Sequence, residues 1–169
     1  MAFLDLRNIT RSELIDRRRR QGWEADFTGL VRHLAGPRRL VGAYVFDVLY
    51  KDEAGYVSGL SLIRALRYQG FRVIAPADTP EEAGPQQKEA DVMLATELLV
   101  QAFHDSYDTA IVVSGDRDFL PAIRAVQGMG KRVEVAALRG TYSPRLVESV
   151  DRFHVLDEMP FLRPLEVEA

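Results

Sequence analysis

The sequence predicts a three-layer α/β/α fold built on a doubly wound, mostly parallel sheet of about five or six strands. Three observations lead to this prediction. Short apolar runs rich in β-branched residues alternate with segments whose apolar positions recur at three and four residues. The apolar runs are nearly continuous, as expected of strands that helices cover on both faces. Turn residues separate the segments, which favours right-handed crossovers between parallel strands.

Length and composition are those of an ordinary soluble protein. The 169 residues fit one domain, predicted to span residues 1–157, with residues 158–169 as a surface tail. A net charge of -3 does not indicate a nucleic-acid binder by itself. The absence of cysteine excludes disulfides, thiolate zinc sites and thiol catalysis, and we expect a cytoplasmic location. No apolar run approaches the roughly 20 residues that span a bilayer, so no membrane partner is predicted.

The amino-terminal half is predicted to contain three strands and three helices. A capping box, with Thr10 as N-cap and Glu13 three residues later, predicts that the first helix begins at Thr10. Residues 76–87 are rich in Pro, Glu and Gln, which predicts a mobile loop and a candidate lid. The predicted strands are 2–6, 39–49 and 71–75, and the predicted helices are 10–22, 26–34 with Asp26 as cap, and 60–70.

The carboxyl-terminal half continues the same alternation. Pro121 and Pro144 both fit the first turn of a helix, where the missing N–H has no partner to lose. Ser143 is the predicted cap of the second of these helices. The predicted strands are 109–113, 131–138 and 153–156, and the predicted helices are 88–106, 120–128 and 144–150.

The strand 109–113 and the turn after it form the most informative stretch. Asp116 and Asp118 follow this buried strand, and ligands of open α/β sheets bind beyond the carboxyl ends of the strands. Two carboxylates at this spacing can face one hard cation such as Mg²⁺ or Mn²⁺. Gly115 is expected to let the backbone turn sharply. The alternative is that Asp116 or Ser114 only caps the following helix.

Two further acids are expected at the same edge. Asp5 ends the first strand, and Asp91 lies near the start of the helix that precedes the central strand. Closely packed like charges repel unless a cation neutralises them, and an acid-held Mg²⁺ or Mn²⁺ can activate water against a phosphodiester. Glu97 lies about 120° around the helix from Asp91, so it is expected to flank the site. The three histidines lie away from these acids, which disfavours a zinc site.

Three ordered motifs resemble those of the NYN-domain family, a part of the PIN-like metal-dependent ribonuclease superfamily, and most resemble its bacterial LabA-like branch. The resemblance extends from about residue 2 to about residue 137. The motifs are Phe3-Leu4-Asp5-Leu6-Arg7-Asn8-Ile9, Lys88-Glu89-Ala90-Asp91-Val92-Met93-Leu94-Ala95-Thr96-Glu97, and Tyr107-Asp108 through Val113-Ser114-Gly115-Asp116-Arg117-Asp118-Phe119.

The resemblance implies a set of site residues. Leu6 and Glu89 stand where the family commonly has Gly, and Glu97 replaces an Asp often found there. By the resemblance, the residues that hold Mg or Mn are Asp5, Asp91, Asp116 and Asp118; those that orient water or phosphate are Asn8 and Ser114, flanked by Glu97; and the candidates for phosphate and RNA contact are Arg7, Lys88 and Arg117.

The leading hypothesis is a metal-dependent endoribonuclease that hydrolyses single-stranded RNA with water activated by an acid-held Mg or Mn ion. An open crevice admits a flexible strand, and Tyr142 is a candidate to stack a base, whereas Phe119 is expected in the core. One alternative is a catalytically inactive NYN-fold regulatory module that binds RNA or protein. Another is a metal-dependent phosphohydrolase, which the absence of an Asp-x-Asp directly after the first strand disfavours. A homodimer is left open.

Overall fold

The strands and helices alternate along the chain as the sequence predicts. The computed structural model describes residues 1–10, 12, 15, 17, 20–48, 50, 51, 57, 58, 60–75, 87–159 and 161–164, with the backbone alone at 50, 51, 57, 58, 87 and 88. The strands are β1 Ala2–Asp5, β2 Trp23–Ala25, β3 Ala43–Phe46, β4 Tyr50–Lys51, β5 Val57–Ser58, β6 Arg72–Ile74, β7 Thr109–Val113, β8 Arg132–Ala137, β9 Arg152–Val155 and β10 Leu162–Pro164. The helices are α1 Leu6–Thr10, α2 Phe27–Ala35, α3 Leu60–Tyr68, α4 Gln87–Phe103, α5 Leu120–Gly128 and α6 Pro144–Glu148, with 3-10 turns at Arg117–Phe119 and Leu156–Glu158.

The central sheet has six strands in the order β6-β3-β1-β7-β8-β9, and every neighbouring pair is parallel. One hydrophobic cluster joins its first face to α1, α2 and α3, and a second joins the other face to α4 and α5. The prediction of a three-layer, doubly wound parallel sheet is therefore confirmed. Among the described residues, no helix has the length and apolar character needed to cross a bilayer.

Several boundaries differ from the prediction for reasons of strand pairing. The central strand β7 spans 109–113, as predicted. The second strand, predicted over 39–49, is limited to the four residues of β3, because these are the ones that lie opposite β1 from Ala2 to Asp5. The predicted helix 144–150 ends at Glu148. The predicted lid falls on residues 76–86, which lie outside the described part of the chain.

The predicted start of the first helix is wrong. The chain enters α1 at Leu6, directly after β1, because the Asp5 carboxylate accepts a hydrogen bond from the Asn8 N–H (3.1 Å) and so satisfies the first turn. Thr10, the predicted N-cap, lies inside that helix. Ser12 Oγ instead accepts from the Ile15 N–H (3.3 Å), as the cap of the next helical stretch. Glu13 lies outside the described residues.

The prediction of a surface tail is wrong for residues 161–164. Phe161 is 1% exposed and packs in the first hydrophobic cluster. Its carbonyl oxygen accepts a hydrogen bond from the Asp26 N–H (2.7 Å), and β10 pairs antiparallel with β2. This small sheet was not predicted, because its pairing joins two short segments from opposite ends of the chain.

The sheet face beside α2 contains a buried carboxylate, Glu134, which is 2% exposed. Arg38 donates to both of its oxygens, at 2.8 and 3.1 Å, and His154 Nε2 lies 3.0 Å from Oε2. Burial alone raises the pKa of Glu134, but the hydrogen bonds from Arg38 and His154 outweigh it and lower the pKa to about 2. Glu134 is therefore charged in the fold at neutral pH.

Replacing Glu134 by glutamine is expected to lower the free energy of unfolding by about 1.5–3 kcal/mol, because Arg38, whose side chain is 38% exposed, and His154 lose the charge of a buried partner. The stabilisation by Glu134 is complete above its ordinary pKa of 4.5 and is lost as the pH falls towards 2. Urea unfolding as a function of pH measures both effects. The exposed Glu148→Gln variant is the control, expected to change stability by less than about 0.5 kcal/mol. Equal stabilities of the two variants would contradict this assignment.

Candidate active site at the carboxyl edge of the sheet

The carboxyl ends of β1 and β7 bring two distant parts of the chain together. Leu4 pairs with Val113, so the residues that follow them lie side by side at the sheet edge. Ser114 Oγ donates to Asp5 Oδ2 (2.9 Å), and the Asn8 N–H donates to Asp5 Oδ1 (3.1 Å). Asn8 Oδ1 in turn accepts from the backbone N–H of residue 115 (3.0 Å). Both oxygens of Asp5 are thus held in place, facing the protein rather than bulk solvent.

Asp116 follows in the same turn and is the cap of the 3-10 turn Arg117–Phe119. Its Oδ1 accepts a hydrogen bond from the Asp118 N–H (2.8 Å), and its own N–H donates to Ser114 Oγ (3.2 Å). The capping role considered as the alternative is therefore present. It engages one oxygen of the Asp116 carboxylate, so it does not by itself prevent the other oxygen from meeting a ligand.

Gly115 is required by close packing and not by an unusual backbone turn. A Cβ at this position would lie 2.1 Å from the carbonyl oxygen of Thr141 and 2.6 Å from its carbonyl carbon. The backbone torsion φ of Gly115 is not positive, so another residue type could adopt this backbone conformation. The prediction that Gly115 permits a sharp turn is wrong, because the constraint comes from the loop after β8.

Gly115→Ala is expected to lower stability by about 1–3 kcal/mol, because the loop at Thr141 must move to admit the methyl group. Gly128→Ala is the matched control: that glycine ends α5, has no atom within 4 Å of an added Cβ, and is expected to be neutral or stabilising by up to about 1 kcal/mol. Thermal and urea unfolding measure the difference. A Gly115→Ala variant as stable as the control would contradict the close contact.

Asp5 is less acidic than an exposed aspartate. Burial raises its pKa, the hydrogen bonds from the Asn8 N–H and Ser114 Oγ oppose this rise, and the negative charge of Asp116 adds to it. The net result is a pKa above the ordinary value. The charged form of Asp5 is therefore held in the fold at an electrostatic cost that a nearby cation would reduce.

Asp91 lies on α4 and faces the same group of acids. Burial raises its pKa to about 6, together with the negative charges of Asp5 and Asp116. The charge of Arg7 lowers the pKa of Asp91, and that of Asp118 adds to its rise. The four predicted acids are thus electrostatically coupled at one sheet edge, although they come from three separate parts of the chain.

In a solution without divalent ions, Asp91 is expected to titrate with a pKa of about 6. Asp116→Asn is expected to lower this pKa, because it removes a like charge from the group. Carbon-detected NMR of the side-chain carboxyl groups measures both values. Asp108→Asn, which changes an exposed residue before β7 at the opposite edge, is the control and should leave Asp91 unchanged. Titration of wild-type Asp91 at the ordinary value of 3.8 would contradict the coupling.

A polar crevice of about 360 Å³ opens beside these acids. Its lining includes Asn8, Asp116, Arg117 and the loop 140–143. The Tyr142 ring packs against Phe153 with centroids 4.5 Å apart, and is half-buried. The sequence reading missed this loop as a wall of the site. Its position in the sequence, directly after the predicted strand 131–138, could have indicated this role, because parallel strands end at the same sheet edge.

Asp47 is a second residue that the sequence reading did not assign to the site. It follows β3, and β3 is paired with β1 so that Phe46 lies opposite Asp5. The Asp47 N–H donates to the Ile74 carbonyl (3.2 Å). Parallel pairing therefore places this residue at the carboxyl edge of the sheet.

Of the remaining predicted site residues, Arg7 does not lie as predicted, and Glu97 lies to one side of the acids. Arg7 is 8% exposed, which disfavours the predicted direct contact with phosphate, because its guanidinium is inside the protein. Glu97 accepts from Gln101 (2.7 Å) and raises the pKa of Tyr44, so its contacts lie beside β3 rather than among the acids. The Lys88 side chain lies outside the described part of the structure.

The chemistry of the acid group fits a hard divalent cation, because Mg²⁺ and Mn²⁺ prefer carboxylate oxygens. Burial, together with the like charge of neighbouring acids, raises the pKa values of Asp5 and Asp91, and such a cation would offset the cost of charging them. Within the described residues, however, no three Asp, Glu or His side chains are close enough to form a ready metal site. The carboxylates are therefore the right ligands for such a cation, but their side chains must move closer together to bind it.

Comparison with known proteins agrees with the fold and with the three motifs. A family model described as NYN domain matches residues 1–157. The chain is also similar to the crystal structure of a protein of unknown function, VPA0982, from Vibrio parahaemolyticus, with a TM-score of 0.73 and 21% identity over 96% of this chain and 94% of that one. At this identity the likeness shows the fold alone. Among curated proteins, none matches the chain.

Proposed function

The chain belongs to the NYN domain family, and on that premise we propose that it is a divalent-metal-dependent endoribonuclease. The NYN domain relates the chain to the PIN-like nucleases, which are typically metal-dependent, and NYN domains generally act on RNA. The three motifs in their order and spacing support assignment to the LabA-like branch. The finer activity, hydrolysis of phosphodiester bonds in single-stranded RNA, is our proposal for this chain.

The observation that carries the proposal is the coupling of four carboxylates at the carboxyl edge of the sheet. Burial, together with the neighbouring charges of Asp5 and Asp116, raises the pKa of Asp91 to about 6, so the charged group is arranged at a cost to the apo fold. Ion-pair networks that only stabilise a fold lower the pKa of their acids, as at Glu134. Acids whose pKa values are raised instead are more typical of a binding or catalytic site.

The protein's own residues have separate tasks in this proposal. Ser114 and Asn8 fix the orientation of Asp5 through hydrogen bonds of 2.9 and 3.1 Å. Asp116 lines the crevice, and its carboxylate is held by a hydrogen bond from the Asp118 N–H within the 3-10 turn. Asp5, Asp91, Asp116 and Asp118 would hold Mg or Mn, which when bound would lower the pKa of a water nucleophile and neutralise charge on the phosphate.

The substrate contacts are proposed on the open side of the site. Arg117 is exposed and lines the crevice of about 360 Å³, so its guanidinium is placed to bind a phosphate. Tyr142 lines the same crevice, and its ring packs against Phe153 on one side. A base would therefore stack on the other face of the Tyr142 ring. An open crevice of this kind admits a flexible single strand, which favours single-stranded RNA as the substrate. Phe119 is 2% exposed, in the core as expected.

The alternative function is a catalytically inactive NYN-fold module that binds RNA or protein. Two observations favour it. No described group of three acid or histidine side chains is tight enough to be a formed metal site. The buried guanidinium of Arg7 also places a positive charge near Asp91, which offsets part of the charge a cation would neutralise. This module would retain RNA binding without metal-dependent turnover.

Purified protein is expected to cleave a labelled single-stranded RNA with Mn²⁺ or Mg²⁺ and to lose this activity with a chelator. Asp116→Asn and Asp5→Asn are each expected to reduce the rate by about 100-fold or more, because each removes a proposed metal ligand. Denaturing gel electrophoresis of the time course measures the cleavage.

Asp108→Asn is the matched control, because it changes an exposed aspartate at the opposite edge of the sheet and should leave the rate unchanged. Cleavage that persists in chelator, or in both site variants, would overturn the proposed mechanism. RNA binding without cleavage under either metal would favour the inactive module.

A further inference from the structure

A second polar cavity lies at the amino edge of the sheet, opposite the acid group. It has a volume of about 590 Å³ and lies where α2 ends and the starts of β8 and β9 are left uncovered. Its charged lining consists of Arg38, Arg132, Arg152, His33, His154 and Glu134. Three guanidinium groups therefore face one carboxylate, so the cavity has two more positive than negative charges even when both histidines are neutral.

Glu134 organises this group and does not act as a free anion. It is 2% exposed, and Arg38 binds it with two hydrogen bonds of 2.8 and 3.1 Å. Arg38 also donates to the carbonyl oxygens of Leu34 (2.7 Å) and Ala35 (2.9 Å), at the end of α2. The charge of Glu134 is thus neutralised by a guanidinium that is also tied to the end of α2 by two hydrogen bonds.

The remaining cations are oriented towards the open part of the cavity. Arg132 contacts Glu134 through Nε at 3.3 Å, and its side chain is 53% exposed, so its terminal nitrogens are not part of that contact. His154 uses Nε2, which leaves Nδ1 outside the contact. Arg152 is exposed on β9, in register with Glu134 on β8, and so projects from the same sheet face.

We propose that this basic cavity is a second phosphate-binding site, in which Arg132 and Arg152 are the main ligands. Guanidinium groups bind phosphate oxygens through paired, planar N–H donors, and two of them on adjacent strands suit a single phosphate group. Glu134 and Arg38 position these ligands. An acidic peptide is a poorer fit, because its single carboxylates offer fewer acceptor oxygens than a phosphate to donors spread over two strands.

The phosphate could belong to an RNA strand or to a small phosphorylated molecule, and the structure favours the strand on the premise of the proposed function. β8 begins at this edge with Arg132 and ends at the acid edge with Ala137. At a rise of about 3.3 Å per residue the two edges are roughly 17 Å apart, a span that several nucleotides cover. An RNA cleaved at the acid edge would then be held at a distance from the scissile bond.

The experiment measures binding of a labelled single-stranded RNA by fluorescence anisotropy over a series of salt concentrations, in chelator so that no cleavage occurs. The test variant is Arg132→Gln/Arg152→Gln. Arg152→Gln alone keeps every contact of Glu134 and guards against a folding defect. The charge-matched control is Arg64→Gln/Arg67→Gln, which changes two exposed residues of α3, a helix that contacts β6 at the far side of the sheet.

Loss of one phosphate contact is expected to reduce the slope of log affinity against log salt by about 0.7, so the double variant, which loses both ligands of a single phosphate, should lose about 0.7 and Arg152→Gln less than that. The control is expected to change the slope much less. Equal slopes in the double variant and the control would overturn the RNA assignment.

Inorganic phosphate is the second ligand tested, with the ring signals of His33 and His154 followed by NMR. The proposal predicts that phosphate shifts these signals in the wild type and in the α3 control but not in the double variant. Shifts with phosphate but no change in RNA slope would assign the cavity to small phosphorylated molecules. No shift and no slope change would overturn the site, leaving an ion-pair network with a structural role.

The same variants separate this proposal from the proposed function. If no RNA is cleaved with Mn²⁺ or Mg²⁺ but the slope falls as expected, the nuclease proposal fails and the phosphate site stands. If cleavage depends on Asp116 and the slope is unaffected by Arg132→Gln/Arg152→Gln, the nuclease proposal stands and the RNA assignment of the second site fails.

Discussion

The hydrogen bond from Ser114 to Asp5 connects residues 109 positions apart, and the rest of the acid edge depends on it. It exists because β1 and β7 are parallel neighbours, so their carboxyl ends meet. Asn8 closes the arrangement by donating to Asp5 and accepting from Gly115. Hydrogen bonds to a charged group are each worth about 1.5–3 kcal/mol, enough to hold a carboxylate whose charge is opposed by burial. The sheet order therefore brings these residues together and fixes the orientation of Asp5.

The pKa values of the acids are shifted in opposite directions at the two edges of the sheet. At the amino edge, Arg38 and His154 lower the pKa of Glu134 to about 2, so its negative charge stabilises the fold. At the carboxyl edge, burial and neighbouring acids raise the pKa of Asp91 to about 6, so its negative charge opposes folding. Arg7 offsets only part of this repulsion. The carboxyl edge thus keeps an unrelieved negative charge, which is what a site that recruits a cation requires.

The sequence was sufficient for features that depend on local pattern. The apolar run 109–113 predicted β7 to the residue, and acids after strands predicted the electrostatic group, because parallel topology collects strand ends. The failures depend on contacts that sequence spacing does not encode. The carbonyl group of Thr141 leaves no room for a side chain at Gly115. Phe161 is buried where β10 pairs with β2, a strand near the other end of the chain. Arg7 has the charge expected of a phosphate ligand, but its burial is set by tertiary packing.

Binding of Mn²⁺ to the apo protein tests the central claim most directly, because it separates the cation site from catalysis. Titration followed by electron paramagnetic resonance of free Mn²⁺ gives the stoichiometry and affinity. The account predicts one ion per chain, with affinity reduced about 10-fold or more in Asp116→Asn and in Ser114→Ala, and unchanged in Asp108→Asn. Absence of Mn²⁺ binding, or binding that all three variants retain equally, would contradict the claim that the acids of this edge form a cation site.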